Sequence, residues 1–293
     1  MTPRPNAAAA DDGPLAMVCC GGSIPFAVAD TVQRQGRRVV LFACRGWADP
    51  IEVARYPHHW VAIAQLGRFS RLARQEGCHD VVFIGTLVRP SLAQLRLDWG
   101  TVRALPSIIR AYRGGDDHLL SGVARIFEGL GFHVVGAHEV APEILMREGS
   151  LTTLKPAAGD ESDIRRALAL LTAIGPFDVG QAVVVAKGHV LAVEAAEGTD
   201  QMLKRVAVLR EEGRIHVPSG VGVLVKAPKP QQDQRIDLPA IGPSTIELVA
   251  RAGLAGLAVI AGSAIVAEPE EVARRADDAK VFVVGVPQPQ AKP

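Results

Sequence analysis

From Leu15 onward, short apolar runs alternate with stretches whose apolar residues recur at helical spacing. The run LAMVCC (15–20) stops at Gly21-Gly22, and Phe26–Gln35 then has helical spacing. RRVVLFA (37–43), the helical GRFSRLARQEG (67–77) and HDVVFIG (79–85) continue the alternation. β-Rich runs this short, separated by helical segments, predict parallel strands joined by crossover helices. Thr101–Arg113 and Asp117–Leu130 predict two more helices, with Gly114-Gly115 as the break and Asp116 at the helix start; FHVVGA (132–137) supplies a fourth strand. His58-His59, beside Pro57, has no periodic pattern and is expected in a solvent-exposed loop.

The periodicity lapses in APEILMREGSLTTLKP (141–156), which is expected to be an interdomain connector over 142–156 with the boundary near Gly149. Beyond it, Asp163–Ile174 predicts an amphipathic helix. QAVVVAKGHVLAVEA (181–195) predicts two antiparallel strands joined at Lys187-Gly188, and Gln201–Arg210 a further helix. Helices and strands then alternate up to KVFVVGV (280–286). The expected fold class is therefore α/β in two domains: an N-terminal Rossmann-like parallel sheet with helices over 15–141, and a mixed α/β domain over 157–287. Residues 1–14 and 288–293 are expected to be tails.

Val221–Gly242, VGVLVKAPKPQQDQRIDLPAIG, is where chemistry is expected. Val221–Val225 is a β-branched run too short for a helix and predicts a buried strand. Pro228, Pro230 and Pro239 fix φ and remove amide donors, so a shaped loop must follow. The loop carries Lys226, Lys229 and Arg235 beside Asp233 and Asp237. Cations for phosphate oxygens and carboxylates for a metal or a water are what a diphosphate with a divalent metal requires. A solvated, charged surface loop is the plain alternative.

Composition narrows the function classes. With 293 residues and 48% apolar content, the chain has material for two cores. A net charge of +1 and only 4% aromatics give no footprint for nucleic acid, which is not an expected partner. Cys19, Cys20, Cys44 and Cys78 form no C-x-x-C pair, so neither a zinc site nor a disulfide framework is expected, and a reducing cytosol fits. Met1–Asp12 lacks a basic region leading into an apolar one, so a disordered tail is expected rather than a signal peptide. The most apolar later window, Leu254–Ala267, is broken by glycines and falls short of about 20 residues, so no membrane span is expected.

Other candidates sit at element ends. Gly21, Gly22 and Ser23 follow the first strand and open a helix, a place for a phosphate or sugar hydroxyl, or simply a tight turn. Thr86 and Arg89 in GTLVRP (85–90) leave the carboxyl end of the third strand, the edge where open α/β sheets bind ligands. Asp116 at a helix start is either an N-cap or a ligand contact. His138-Glu139, if extended, point to opposite faces and are expected to be structural. Glu194, Glu197, Thr199 and Asp200 crowd a strand end and a helix start, where capping is the ordinary role. Ser244 and Thr245 are expected to cap the helix after Gly242-Pro243.

Several separated words, in order, carry a family resemblance: GGSIP, ADP, RP after the third strand, LPSII, GDDHLL, GAHEV, DVGQAVVV, EGTDQMLKRV, KAPKP and QDQRIDLPAIGPSTI. From about Leu15 to Val286 the chain resembles the LpxI-type UDP-2,3-diacylglucosamine pyrophosphatases of lipid A synthesis. The resemblance implies hydrolysis of the diphosphate of UDP-2,3-diacylglucosamine to UMP and lipid X, with Mg²⁺ or Mn²⁺ as cofactor. It implies Asp237 as the catalytic residue, as metal ligand or as base, with Asp233 a second candidate metal ligand. Lys226, Lys229 and Arg235 become electrostatic clamps. Thr199, Asp200, Gln181 and Thr245 join Gly21, Gly22, Ser23, Thr86, Arg89 and Asp116 as substrate contacts. These residues fall on both sides of the connector, so a cleft between the domains that closes on the lipid is expected. The expected location is cytoplasmic, peripheral to the inner membrane. Two other readings share some of the same residues: a non-catalytic nucleotide-sugar sensor, and a nicotinamide-dependent oxidoreductase. The oxidoreductase reading lacks both the full glycine fingerprint and an acid at the end of LFACRG.

Overall fold

A computed structural model of the chain describes residues 13–87, 98–112, 116–229 and 232–288. The chain divides into two compact units, Met1–Ala141 and Pro142–Pro293.

In the first unit the order is β1 (Leu15–Cys19), α1 (Ile24–Arg34), β2 (Val39–Cys44), α2 (Pro50–Val53), β3 (His58–Val61), α3 (Leu66–Gln75), β4 (Asp80–Ile84), α4 (Trp99–Tyr112), α5 (Asp116–Gly129), β5 (His133–Val134) and α6 (Ala137–Val140). The five strands form one sheet in the order β3-β2-β1-β4-β5, and every pairing is parallel. This is the expected Rossmann-like arrangement, with the strand order reversing between β1 and β4. Parallel strands are buried on both faces, which is why β1 and β2 are almost wholly apolar. Aromatic rings seal the sheet against its helices: Phe69 of α3 lies 4.5 Å from Phe42 of β2 and 4.9 Å from Phe127 of α5.

Two expectations change here. His58 and His59 belong to β3 and are half-buried, because the HHWV run pairs as an edge strand with β2. His59 Nε2 lies 2.8 Å from Glu76 Oε1, and its ring packs on Phe42. His138 and Glu139 lie in the short helix α6 rather than in an extended strand end; the Gly136 amide donates to Glu139 Oε1 at 2.9 Å, which folds the chain into a helical turn.

The second unit continues with β6 (Gly149–Ser150), α7 (Ala158–Ile174), β7 (Ala182–Ala186), β8 (His189–Val193), α8 (Gly198–Glu211), β9 (Val223–Lys226), β10 (Ala240–Ile241), α9 (Pro243–Arg251), β11 (Gly256–Ile260), β12 (Ile265–Val266), α10 (Pro269–Asp278) and β13 (Phe282–Val286). Six strands form a mixed sheet in the order β6-β13-β11-β9-β7-β8. β9, β11 and β13 run parallel, while β6, β7 and β8 pair antiparallel to their neighbours. The β7–β8 hairpin turns at Lys187-Gly188, as the sequence predicts. The stretch read as an irregular connector contributes Gly149 and Ser150 to the sheet, where they extend the β13 edge.

Alternation along these strands decides which helix covers which face. Val183, Val185, Val223, Val225, Ala258 and Ile260 point to the face packed by Ile164, Ala167, Leu168 and Leu171 of α7. Val184, Leu224, Leu257, Val259 and Val283 point to the other, packed by residues of α8, α9 and α10 such as Leu203, Val249 and Val272. The period of two carries past Leu224 to Lys226, so the last side chain of the central strand is delivered to the α8–α9 face.

Candidate active site

The carboxyl end of β9 gathers most of the sequence candidates of the second unit. Lys226 pairs with Ala182, the first residue of antiparallel β7, and β7 in turn pairs Val183 with Val193 of β8. Gln181, Glu194 and the start of α8 therefore share one sheet edge with the loop that follows β9. The Ala227 amide donates to the Gln181 carbonyl at 3.0 Å, extending the ladder one step beyond the strand.

Lys226 is not an exposed clamp on the loop. It is the final residue of β9, only 6% exposed, and its Nζ donates to the Ala240 carbonyl at 3.0 Å. Burial pulls its pKa below the ordinary lysine value, while the negative charges of Glu194, Asp200 and Asp237 push it back up. A buried ammonium is tolerable only with such counter-charges.

Glu194 is also buried. Its Oε2 accepts from the Gln181 amide at 3.0 Å and its Oε1 from the Thr199 hydroxyl at 3.0 Å, locking the β8 end to the α8 start. Gly180 lets that contact form, since a Cβ there would lie 2.5 Å from the Glu194 carbonyl oxygen. Thr199 is thus committed to Glu194 rather than acting as an N-cap, whereas Asp200, in the first turn of α8, is exposed.

The proline-rich loop is held from within. Gln232 is buried; its Oε1 accepts from the Lys229 amide at 2.8 Å, and its Nε2 donates to Asp237 and lies 3.5 Å from Gln181 Oε1. Asp237, which the sequence leaves without an evident partner, is therefore positioned by a buried amide. The Lys229 ammonium donates to Asp178, and Arg235 grips Asp233 through Nε at 3.0 Å and Nη2 at 2.8 Å. These are paired charges, Lys229 with an acid ahead of β7 and Arg235 with one inside the loop, not bare cations. Thr245 is the third residue of α9; its hydroxyl accepts from the Gly242 amide at 3.3 Å, so Gly242 is the N-cap residue and neither Ser244 nor Thr245 occupies that position.

In the first unit, Gly21 and Thr86 leave the carboxyl ends of β1 and β4, where the strand order reverses. They bond reciprocally: Gly21 N to Thr86 O at 3.0 Å and Thr86 N to Gly21 O at 2.8 Å. The Gly21 amide is thereby consumed, leaving the exposed Gly22 and Ser23 as the open part of that turn. Gly85 has φ +107°, and a Cβ there would lie 2.7 Å from Gly21 O, so the bridge requires glycine. Gly85→Ala should lower stability by at least about 1 kcal/mol, the lower bound for a side chain forced into such backbone, read as a drop in thermal midpoint; an unchanged midpoint would mean the bridge bears no strain. Beside the turn, the Cys20 thiol donates to Cys44 Sγ at 3.4 Å, and both residues are buried. Asp116 is the first residue of α5. Arg89 lies outside the described residues.

Sequence reasoning passed over Gln232 and did not place Glu194 in the site. Gln232 is a neutral amide among charges, with no motif of its own. Glu194 had a usable signal: an acid one step past an apolar strand, at an alternating position that must face inward.

Among the described residues, no three His, Cys, Asp or Glu side chains converge as a metal-donor set. With both Asp233 oxygens held by Arg235, the fit to a metal rests on Asp237. One carboxylate with substrate phosphate oxygens is the usual way magnesium is held, in contrast to an all-protein cage.

The family comparisons cover both units. The LpxI N-terminal domain model matches residues 14–144 and the LpxI C-terminal domain model residues 147–284. The chain is 44% identical over 279 residues to the UDP-2,3-diacylglucosamine pyrophosphatase LpxI of Caulobacter vibrioides, a match spanning 95% of this chain and 99% of that protein. With both domain models matched in order and nearly the whole length aligned, this chain belongs to the LpxI family.

Proposed function

We propose that this LpxI-family enzyme hydrolyses the diphosphate bond of UDP-2,3-diacylglucosamine, giving UMP and 2,3-diacylglucosamine 1-phosphate (lipid X), in lipid A synthesis. The observation that carries the reading is the Asp237 carboxylate, fixed by the buried Gln232 amide and within the electrostatic reach of the buried Lys226 ammonium. Hydrolysis adds water across the P–O–P bridge: the water oxygen bonds one phosphorus, the bridging P–O bond breaks, and the released proton must be taken up near the attacking oxygen. Rigid placement of the group beside that water, together with neutralised phosphate charge, is the main protein contribution to such chemistry. Asp237, held by Gln232 and drawn toward Lys226, is the residue we assign to that place, as base or as metal ligand. Gln181, Lys229 and Arg235 at that sheet edge and in its loop, Thr199 and Asp200 in the first turn of α8, and Thr245 in the first turn of α9 are the residues we assign to the uridine, sugar and diphosphate. Gly21, Gly22, Ser23, Thr86, Arg89 and Asp116 of the first unit we assign to substrate binding. A bound Mg²⁺ or Mn²⁺, held by Asp237 and the diphosphate, would withdraw charge from the phosphate oxygens. We propose that the doubly acylated substrate, whose acyl chains hold it in the bilayer, is met peripherally, at the cytoplasmic face of the inner membrane.

The test is release of UMP from detergent-dispersed UDP-2,3-diacylglucosamine by the purified chain. UMP should form with Mg²⁺ or Mn²⁺, stop after exhaustive chelation and resume on adding the ion back. Binding without UMP would leave a nucleotide-sugar sensor; full turnover after chelation would remove the metal.

A further inference from the structure

We infer that α4 docks the protein onto an anionic phospholipid surface; the inference rests on the lipid-substrate reading above. Helix α4 turns an unbroken apolar stripe outward. Trp99 is 82% exposed, Val102 43%, Leu105 36% and Ile109 46%. At 3.6 residues per turn these positions fall on one side of the helix, and exposed Arg103 and Arg110 border that side. The opposite side is anchored: Thr101 is fully buried, and its hydroxyl accepts from the Leu66 amide at 3.1 Å. Asp98, just before the helix, accepts from the Gly67 and Arg68 amides at 3.1 and 2.8 Å, which ties α4 to the start of α3. The outward orientation of the stripe is therefore fixed.

A helix with large apolar side chains outward, tryptophan at one end and arginines along the border suits the boundary between headgroups and acyl chains. Trp99–Tyr112 contains no acid, so a second copy docked through this face would set arginines near arginines with nothing on the helix to balance them. An anionic bilayer supplies both the apolar phase and the counter-charge. It is also where a doubly acylated substrate resides, and no described helix can span the membrane to reach it.

Partition of the full-length protein onto phosphatidylglycerol–phosphatidylethanolamine vesicles, with phosphatidylcholine vesicles as the neutral control, tests this. The wild type should co-sediment with the anionic vesicles, and brominated lipid should quench its tryptophan fluorescence. W99S/I109S should lose at least about tenfold in partition and the quenching with it. R103Q/R110Q should lose roughly 25-fold at low salt, about fivefold per arginine, and resemble wild type at high salt. Both variants should keep the wild-type thermal midpoint and hydrolyse detergent-dispersed substrate within about twofold of wild type. Wild-type partition unaffected by both variants, or no binding to anionic vesicles, overturns the inference. So does a wild-type dimer that either variant dissociates, since the face would then bind a second copy. Absence of detergent-phase hydrolysis in the wild type instead counts against the proposed reaction and leaves the vesicle result to stand on its own.

Discussion

Asp237→Asn is expected to lower turnover by at least about 100-fold, the lower range for loss of a general base or a metal ligand, while leaving the fold and substrate binding near wild type. The substitution keeps the shape of the side chain, and its amide oxygen can still accept the hydrogen bond from Gln232. What it removes is negative charge, both for holding a metal and for taking a proton. Circular dichroism and the thermal midpoint report on the fold; equilibrium binding of a non-hydrolysable analogue reports on the site. Single-turnover release of UMP then reads the chemistry alone, and turnover within a few-fold of wild type would take Asp237 out of the mechanism. Gln232→Leu makes a useful companion. It removes the amide that positions Asp237 but not the carboxylate itself, so its loss should be smaller than that of Asp237→Asn.

The fold was legible because its strands are short apolar runs separated by helical periods, and such runs bury on both faces only in a layered α/β structure. Which of Val183 and Val184, or of Val223 and Leu224, faces which helix layer was not legible, because both members of each pair are apolar. What the letters concealed were features set by pairing. β3 looked like a loop because HHWV is half polar, and only its edge position beside β2 makes that acceptable. Gly149-Ser150 carries no strand signal and joins the second sheet only because β13 offers an open edge. In the site, the charged residues of the loop were visible from the sequence, but their partners were not. Lys229 with Asp178 and Lys226 with the Ala240 carbonyl join positions far apart in the chain, and no local pattern encodes such pairs. A lysine one residue past an apolar strand was read as the first residue of a loop, whereas the alternation that buries Leu224 also buries Lys226.

That burial predicts the behaviour of Lys226 variants. Lys226→Met removes the ammonium but keeps much of the buried stem. Burial outweighs the counter-charges that act on Lys226, so its ammonium costs stability on balance, and Lys226→Met should leave the unfolding free energy within about 1 kcal/mol of the wild type or above it, the lost hydrogen bond to the Ala240 carbonyl offsetting part of the gain. Its turnover should still fall, because Asp237 loses the positive charge that faces it. Glu194→Gln takes away a negative charge that supports the ammonium and should lower the unfolding free energy more in the wild type than in a Lys226→Met background; an equal loss in both would mean that the two groups are not coupled. Burial lowers the folded-state pKa of Lys226 below 10.5, so the unfolded chain holds the proton more tightly than the native one. The cost of burying the ammonium is fully present below the folded pKa. Between that pKa and 10.5 the unfolded state binds more protons, so this group's contribution makes stability rise with pH across that window. Activity has the opposite dependence, because the cation that organises Asp237 is lost as pH climbs through the same window. The alkaline limb of kcat/KM should therefore lie below 10.5 in the wild type, and in Lys226→Arg, which stays charged throughout, it should move to higher pH or vanish. An alkaline limb that Lys226→Arg leaves in place would assign that titration to another group and confine Lys226 to holding the fold.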